Sequence, residues 1–330
     1  MHWLQNHWYR TTPLHLVLVP ISLIFSALVA IRRLFYRDRI LISHQMLLPV
    51  IVVGNISVGG TGKTPLTLAL AQQLIAHGWN PLIVSRGYKS ASKKPLQVEP
   101  DMTALQSGDE PLLMARRNIC PVWVGKDRVA TVRAALQNHP QCDVVLCDDG
   151  LQHYRLQRDV EIVVIDGERD TGNGWLLPAG PLREPVSRLK TVDAVVVNGC
   201  DAAPGQYAMR LDGAVFHNLL EPGLTATADD FNKTGVHAVA GIGHPQRYFQ
   251  HLTSMGISFS PHAFPDHHPF SASDLAFADC DAILLTEKDA VKCTEFADAR
   301  YWVLRVDAII DPGLTDLVLR KIKSHGRQTA

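Results

Sequence analysis

The sequence has no surplus of either charge. Its 32 Lys and Arg residues balance 32 Asp and Glu. No global field draws the chain to nucleic acid, and an anionic partner has to be held by local basic groups. The six cysteines (Cys120, Cys142, Cys147, Cys200, Cys280 and Cys293) contain no CxxC pair, and no histidines stand near them at zinc-finger spacing. A zinc module is not indicated, and the thiols read as reduced, buried side chains of a cytosolic domain. Internal repeats and low-complexity segments are also lacking. With 46% hydrophobic and 19% charged residues, the composition excludes disorder as the main state. What remains is a globular chain of 330 residues, long enough for a large core and two lobes.

One stretch lacks charge altogether. From Leu14 to Ile31, 18 residues pass without Asp, Glu, Lys or Arg, at the lower edge of the length needed to span a bilayer. Pro20 lies inside it and predicts a kink. Arg10 precedes the run; Arg32, Arg33, Arg37 and Arg39 follow it. A cleaved signal peptide carries its positive charge mainly before the apolar run and ends at a small-residue site, neither of which is seen. A core helix would be unusually apolar all round. A retained anchor with its basic cluster on the cytoplasmic side fits both length and flanks; spanning and half-inserted forms stay open.

Beyond residue 40, short β-branched runs alternate with helical stretches. Val50–Val53, Pro81–Val84, Val144–Cys147, Glu161–Ile165 and Ala194–Val197 read as strands of a mostly parallel, doubly wound sheet. A weaker stretch from Cys200 to about Gly235 precedes a second α/β series: Val236–Ala240, a helix near Gln246–Met255, Ala282–Leu285, Trp302–Val306, and a last helix near Leu314–Ser324. The expected organisation is an anchor over 1–40, a first lobe over 41–205 and a smaller α/β lobe over 206–330.

The first β-run opens into Ser57-Val58-Gly59-Gly60-Thr61-Gly62-Lys63-Thr64 and then a helical pattern. Strand, Gly-rich loop and helix are the context of a Walker A loop, whose amides and helix dipole cradle phosphates. Lys63 is then placed to reach the β- and γ-phosphates, and the Thr64 hydroxyl to bind Mg²⁺. The usual first Gly is Ser57 here, with Gly59-Gly60 to supply flexibility. Partitioning-type ATPases carry a Lys just before the glycine pair; this chain has Val58. Thr286-Glu287-Lys288-Asp289 matches the guanine motif by letters, and reads either as a nucleotide contact or as a solvated loop. The run Val144–Cys147 ends in Asp148-Asp149-Gly150. Asp148 has the position of a Walker B carboxylate holding Mg²⁺, with Asp149, Gln152 and His153 expected in the same cleft. A plain strand-to-turn Asp-Asp-Gly is the alternative.

Several phrases then occur in order: GNISVGGTGKTP at 54–65, SRGY at 85–88, GDEP at 108–111, VGKDR at 124–128, DDGLQH at 148–153, DGERDTGNGWLLPAGPLREP at 166–185, GIGHP at 241–245, FPDHHPF at 264–270 and TEKDAVK at 286–292. This set resembles the lipid A 4'-kinase family across almost the whole chain, the apolar N-terminal helix included. The resemblance implies two Rossmann-like lobes with the site between them. It implies transfer from ATP-Mg²⁺ to the 4'-hydroxyl of a tetraacylated glucosamine disaccharide 1-phosphate, yielding the bis-phosphorylated lipid A precursor. It further implies the cytoplasmic face of the inner membrane as the place of work; no obligate protein partner is inferred.

Carried over residue by residue, Asp109 is the implied acid–base carboxylate and His267 the histidine that pairs with it from the second lobe. The sequence alone also reads Asp109 as a helix cap and His267 as one surface histidine among 15. Glu110 is a candidate to assist Mg²⁺. Ser85 and Arg86 end the second strand. Arg86 and Arg128 are candidates for phosphate contact through a guanidinium fork, or else solvated charges. Asp149, Gln152, His153, Arg183 and Glu184 are candidates to shape the acceptor site. The competing reading is a membrane-associated P-loop ATPase or GTPase switch, which hydrolyses nucleotide without a lipid acceptor.

Overall fold

The computed structural model describes residues 7–9, 12–88, 90–92, 94–232 and 235–323; Arg10 and Ser324, both named above, lie outside them. Its strands are β1 (Val50–Gly54), β2 (Pro81–Ser85), β3 (Leu96–Gln97), β4 (Val122–Val124), β5 (Val144–Asp148), β6 (Val160–Asp166), β7 (Ala194–Asn198), β8 (Tyr207–Asp212), β9 (Phe216–Asn218), β10 (Thr225–Ala226), β11 (Val236–Ala240), β12 (Ser260–Ala263), β13 (Ala282–Thr286), β14 (Tyr301–Leu304) and β15 (Asp307–Ile310). They form a nine-stranded sheet in the order β15-β8-β7-β6-β1-β5-β2-β4-β3 and a six-stranded sheet in the order β10-β9-β14-β13-β11-β12. Within each, the central pairs are parallel. Antiparallel pairs involve β3, β9, β10 and β15. The α/β class expected from the alternation of strands and helices is the one adopted.

The central strands are buried at every position, as in β1 (Val-Ile-Val-Val-Gly) and β5 (Val-Val-Leu-Cys-Asp). That is why their sequences are continuous apolar runs without alternation: helices cover both faces of a parallel sheet. The helix Lys63–Ala76 buries Leu66, Leu70 and Leu74 in the first core. Phe216, Leu252 and Leu284 centre a core of the second lobe.

The division at residue 206 drawn from the sequence cuts across a sheet. β8 extends the first sheet beside β7, and β15 pairs with β8. The final helix Pro312–Lys323 then packs on the helix Lys63–Ala76 and on β6. By sheet membership the second lobe is 216–304, entered once and left once. β8 is half-exposed, with only Met209 fully buried, so its sequence, Tyr-Ala-Met-Arg-Leu-Asp, has no apolar run to announce it.

The N-terminal helix, His15–Arg37, runs unbroken through Pro20. It is long and apolar enough to cross a membrane, and only 11% of its apolar window is buried. A core helix would show the reverse. One edge rests on the first lobe: the Ser22 hydroxyl donates to the Leu176 carbonyl at 2.7 Å, and Phe25 and Val29 pack against the core. Leu16 and Ile24 on the free side are 83% and 64% exposed.

The returning helix yields a stability prediction. Leu314 is fully buried in the first core, so Leu314→Ala should cost about 2–5 kcal/mol of unfolding free energy, from lost transfer and a residual cavity. Urea unfolding followed by tryptophan fluorescence would check this. A cost near zero would mean that the last helix is peripheral to the first lobe.

Candidate active site

A cleft of about 2410 Å³ lies between the lobes. It opens at the carboxyl ends of β1 and β5. β1 sits between β5 and β6, where successive crossovers leave in opposite directions, the usual ligand position in an open α/β sheet. From β1 the chain curls through Gly59 (φ +105°) and Gly62 (φ +96°) into the helix beginning at Lys63. At Gly62 an added Cβ would stand 2.5 Å from Asn198 Nδ2. That amide donates to the Thr61 carbonyl at 3.1 Å and braces the loop from the end of β7. Ser57, where the usual motif has glycine, forms an antiparallel bridge with Leu182, and the Val58 amide donates to the Pro181 carbonyl at 2.9 Å. The backbone there is strand-like, so no glycine is required.

Asp148 lies fully buried beneath this loop. It accepts hydrogen bonds from Thr67 Oγ1 at 3.1 Å and Thr64 Oγ1 at 3.5 Å. Burial, reinforced by the charges of Glu110 and Asp149 and opposed by Lys63, pushes its carboxyl up to about 7. A carboxylate so poorly compensated, converging with a hydroxyl at the foot of a phosphate loop, is a donor pair of hard oxygens suited to Mg²⁺. Asp149, at φ +49°, is set apart from it. Against the burial that would raise it, Lys63, Arg183 and Arg128 hold its carboxyl below the usual range. The Lys63 ammonium lies 3.5 Å from it and the Arg183 guanidinium 3.7 Å.

The facing wall pairs one lobe with the other. Asp109 is the first residue of the helix Asp109–Arg116, and its side chain does not cap that helix. Instead its Oδ2 meets His267 Nδ1 at 2.9 Å. Burial works to raise the Asp109 carboxyl, but the His267 hydrogen bond and the charges of Lys292 and Lys288 hold it below the usual range. His267 itself is at φ +59°, a conformation that costs energy for most residues but less for His. Its amide donates to the Gly241 carbonyl at 3.2 Å, and its ring lies 5.1 Å from that of Tyr88.

The cleft is lined by Val58 to Thr64, Arg86, Glu110, Asp149, Gln152, Arg183, Glu184 and His267. Glu184 is nearly fully buried; it accepts from Gln152 Nε2 (2.9 Å), Tyr154 Oη (2.7 Å) and Arg188 Nε (3.2 Å). Six expected residues are not part of this lining: Ser57, Asp109 and Asp148, placed above, and Arg128, Ser85 and His153. Arg128 is buried, and its guanidinium donates to the Gly125 carbonyl at 2.9 Å, so it braces a loop rather than facing the cleft. Ser85 is buried at the end of its strand. His153 is outside the cleft lining; burial and then the charge of Arg128 push its imidazole down to about 4.

Sequence reasoning passed over three neighbours of the site, Asn198, Asp266 and Arg117. Asn198 ends an apolar strand, which is itself a signal. Asp266 precedes His267 and approaches Lys288, whose ammonium is 3.1 Å from Asp266 Oδ1 and 3.0 Å from Glu110 Oε1. Arg117 crosses the lobe interface to Glu287 at 2.6 Å, and within its own lobe it pairs with Asp307 at 2.6 Å. The guanine-like TEKD is not a solvated loop: it runs from the end of β13 into a helix, and the Asp289 carboxylate accepts from the Gly241 amide (2.9 Å), Thr286 Oγ1 (2.7 Å) and Lys292 Nζ (2.7 Å).

The second lobe also touches the phosphate loop. At Gly243 an added Cβ would lie 2.6 Å from the Gly60 amide, and Arg169 Nη2 donates to the Gly243 carbonyl at 2.6 Å. Asp166, Glu168 and His244 cluster beside this contact, but Arg247 Nη2 already sits 2.7 Å from Asp166 Oδ1 and 3.6 Å from Glu168 Oε2. The guanidinium takes the place that a cation would need.

Known proteins resemble the chain along almost its whole length. A tetraacyldisaccharide 4'-kinase of Methylobacillus flagellatus is 48% identical over 320 residues, 97% of this chain and 96% of the relative. A namesake from Halorhodospira halophila is 51% identical over 303 residues, covering 90% and 89%. The crystal structure of "apo" form LpxK from Aquifex aeolicus in complex with ATP superimposes with a TM-score of 0.78 at 29% identity, covering 92% of this chain and 98% of that one. The model of the tetraacyldisaccharide-1-P 4'-kinase family matches residues 14–323, and with relatives this similar over this length the chain belongs to that family.

Proposed function

We propose that the chain transfers the γ-phosphate of ATP to the 4'-hydroxyl of a tetraacylated disaccharide 1-phosphate, working from the cytoplasmic face of the inner membrane. The observation that carries this reading is a single cleft with three features. It holds a phosphate loop, it is closed by a carboxylate–imidazole pair from opposite lobes, and it is rimmed by Phe25, Leu28 and Val29 of the apolar helix. Residues 1–40 serve as the anchor; the lobes behind it hold the nucleotide.

In this reading the amides of Gly59 to Thr64 and the Lys63 ammonium hold the β- and γ-phosphates. Arg86 reaches the transferred group. Thr64 and Asp148 would hold Mg²⁺, which neutralises charge on the phosphate oxygens; Glu110, whose Oε1 is paired with Lys288, has its second oxygen for a bridging water. Asp109 accepts the 4'-hydroxyl proton as that oxygen bonds to the γ-phosphorus. The bond from phosphorus to the β,γ-bridging oxygen breaks, and ADP leaves. His267 donates to the Asp109 carboxylate and orients it. Asp149, Gln152, Arg183 and Glu184 shape the acceptor side.

The acceptor explains the exposed helix. Withdrawing acyl chains from a bilayer costs about 0.8 kcal/mol per CH₂, so the enzyme has to come to the lipid. Leu16, Ile24 and Leu28 face outward, and Arg32, Arg33, Arg37 and Arg39 follow at the headgroup side.

Two measurements test this. Labelled γ-phosphate from ATP-Mg²⁺ should appear on tetraacyldisaccharide 1-phosphate in mixed micelles. Lys63→Ala and Asp109→Asn should each lower kcat/KM by about 10²–10⁴-fold. Labelled inorganic phosphate with no labelled lipid would instead establish the nucleotide switch. The second is a pH profile. Ionised Asp109 is the active form, and its folded pKa is depressed, so wild-type activity should fall only below the ordinary carboxylate range. His267→Asn removes the leading contribution to that depression, and the acid limb of kcat/KM should move to higher pH. An unmoved limb would remove Asp109–His267 coupling from the mechanism.

A further inference from the structure

Lys288 has no role in the reading above, yet it is one of the most constrained cations in the molecule. It is the second residue of the helix Glu287–Cys293, and its side chain is only 16% exposed although it borders the cleft. An ammonium has three hydrogens and no lone pair. Three acceptors surround this one: Glu110 Oε1 at 3.0 Å, Asp266 Oδ1 at 3.1 Å and His267 Nε2 at 3.3 Å.

The third contact fixes chemistry. A group that can only donate requires a lone pair on Nε2. The proton of the neutral imidazole is then on Nδ1, the atom 2.9 Å from Asp109 Oδ2. The opposite tautomer would turn a lone pair toward the carboxylate and an N–H toward the ammonium, and both contacts would become repulsive. The first contact fixes geometry. Glu110 adjoins Asp109 on a first-lobe helix, whereas Asp266, His267 and Lys288 belong to the second lobe. Opening the lobes would break Lys288–Glu110 and His267–Asp109 together.

We propose that Lys288 is a positioning residue for the transfer, holding His267 as its Nδ1–H tautomer against Asp109 and tying that pair to the first lobe through Glu110. The proposal rests on the reading of Asp109 and His267 as the proton-accepting pair. Lys288 touches neither reacting atom; it acts through the imidazole.

The test is a double-mutant cycle on the full-length enzyme in micelles, using Lys288→Met and His267→Asn. Lys288→Met should lower kcat about 10²-fold or more, as expected when a catalytic imidazole loses its tautomer, and leave the KM for ATP within about threefold. In the His267→Asn background the same substitution should cost less than about threefold, because its target is gone. In ¹⁵N spectra the His267 resonances, assigned by their loss in His267→Asn, should show Nδ1 protonated in the wild type and a mixture of tautomers in Lys288→Met. Lys288→Gln, whose amide keeps two N–H hydrogens, is the rescue and stands in if Lys288→Met does not fold: it should retain the Nδ1–H tautomer and more than a tenth of the wild-type kcat, and a folded Lys288→Gln that keeps the kcat but loses the tautomer would overturn the proposal. Equal costs in both backgrounds, or an Nε2-protonated ring in the wild type, would overturn the proposal. Full activity in both Asp109→Asn and His267→Asn would instead remove the reading on which it rests.

Discussion

The cleft depends on one contact made across the whole chain. Asp109 and His267, 158 positions apart, meet at 2.9 Å, and neither side chain reaches the other unless two separately built sheets are held in fixed relation. Each sheet is stable for its own reason, a continuous apolar interior in each case. One apolar side chain crosses between them: Val291, on the second-lobe helix Glu287–Cys293, is buried in the first core. The other contacts at the seam are polar: Lys288 on Glu110, Arg117 on Glu287, Arg247 on Asp166, and Arg169 on the Gly243 carbonyl. Such contacts are individually modest when they are exposed, and the strongest candidates here are the half-buried ones.

The path of the chain serves the same end. Because β8 and β15 both belong to the first sheet, the second lobe is joined by two connectors lying side by side. Arg117 sits beside one of them, donating to the Val306 carbonyl at 2.6 Å. A lobe held at two adjacent points has fewer ways to move than one hung on a single linker. The Gly243–Gly60 approach is a further point where the second lobe meets the phosphate loop.

Much of this was legible in the sequence. The central strands announced themselves because burial on both faces leaves no room for polar alternation. GGTGKT and DDG were legible as loops at strand ends because each follows a buried strand. The lobe boundary was not legible: β8 is half-exposed, and its pairing with the distant β15 leaves no local mark. The pairing of Asp109 with His267 came from family resemblance, since a Gly-Asp-Glu-Pro cap and a Pro-bounded histidine are ordinary on their own. Arg128 and Lys288 fail in opposite directions. Arg128, a candidate for phosphate contact or a solvated charge, turned inward to the Gly125 carbonyl; Lys288, in a phrase that read as either a nucleotide contact or a solvated loop, lies between the lobes on Glu110 and Asp266. The sign of a charge is local information, but what it faces depends on elements far away in sequence.

The same logic orders the apolar N-terminal helix and the cleft. A helix independent of the cleft could sit anywhere on the surface. This one lies along the first lobe, with Ser22 pinned to Leu176 and Arg32 both at the cleft rim and 6.0 Å from the Tyr154 ring centroid. Tyr154 in turn donates to Glu184, beside Gln152. The contacts therefore run from an exposed apolar surface, through the Arg32 guanidinium, to the buried carboxylate of Glu184. On the reading proposed above, acyl chains against that helix and a polar headgroup in the cleft would be accommodated together.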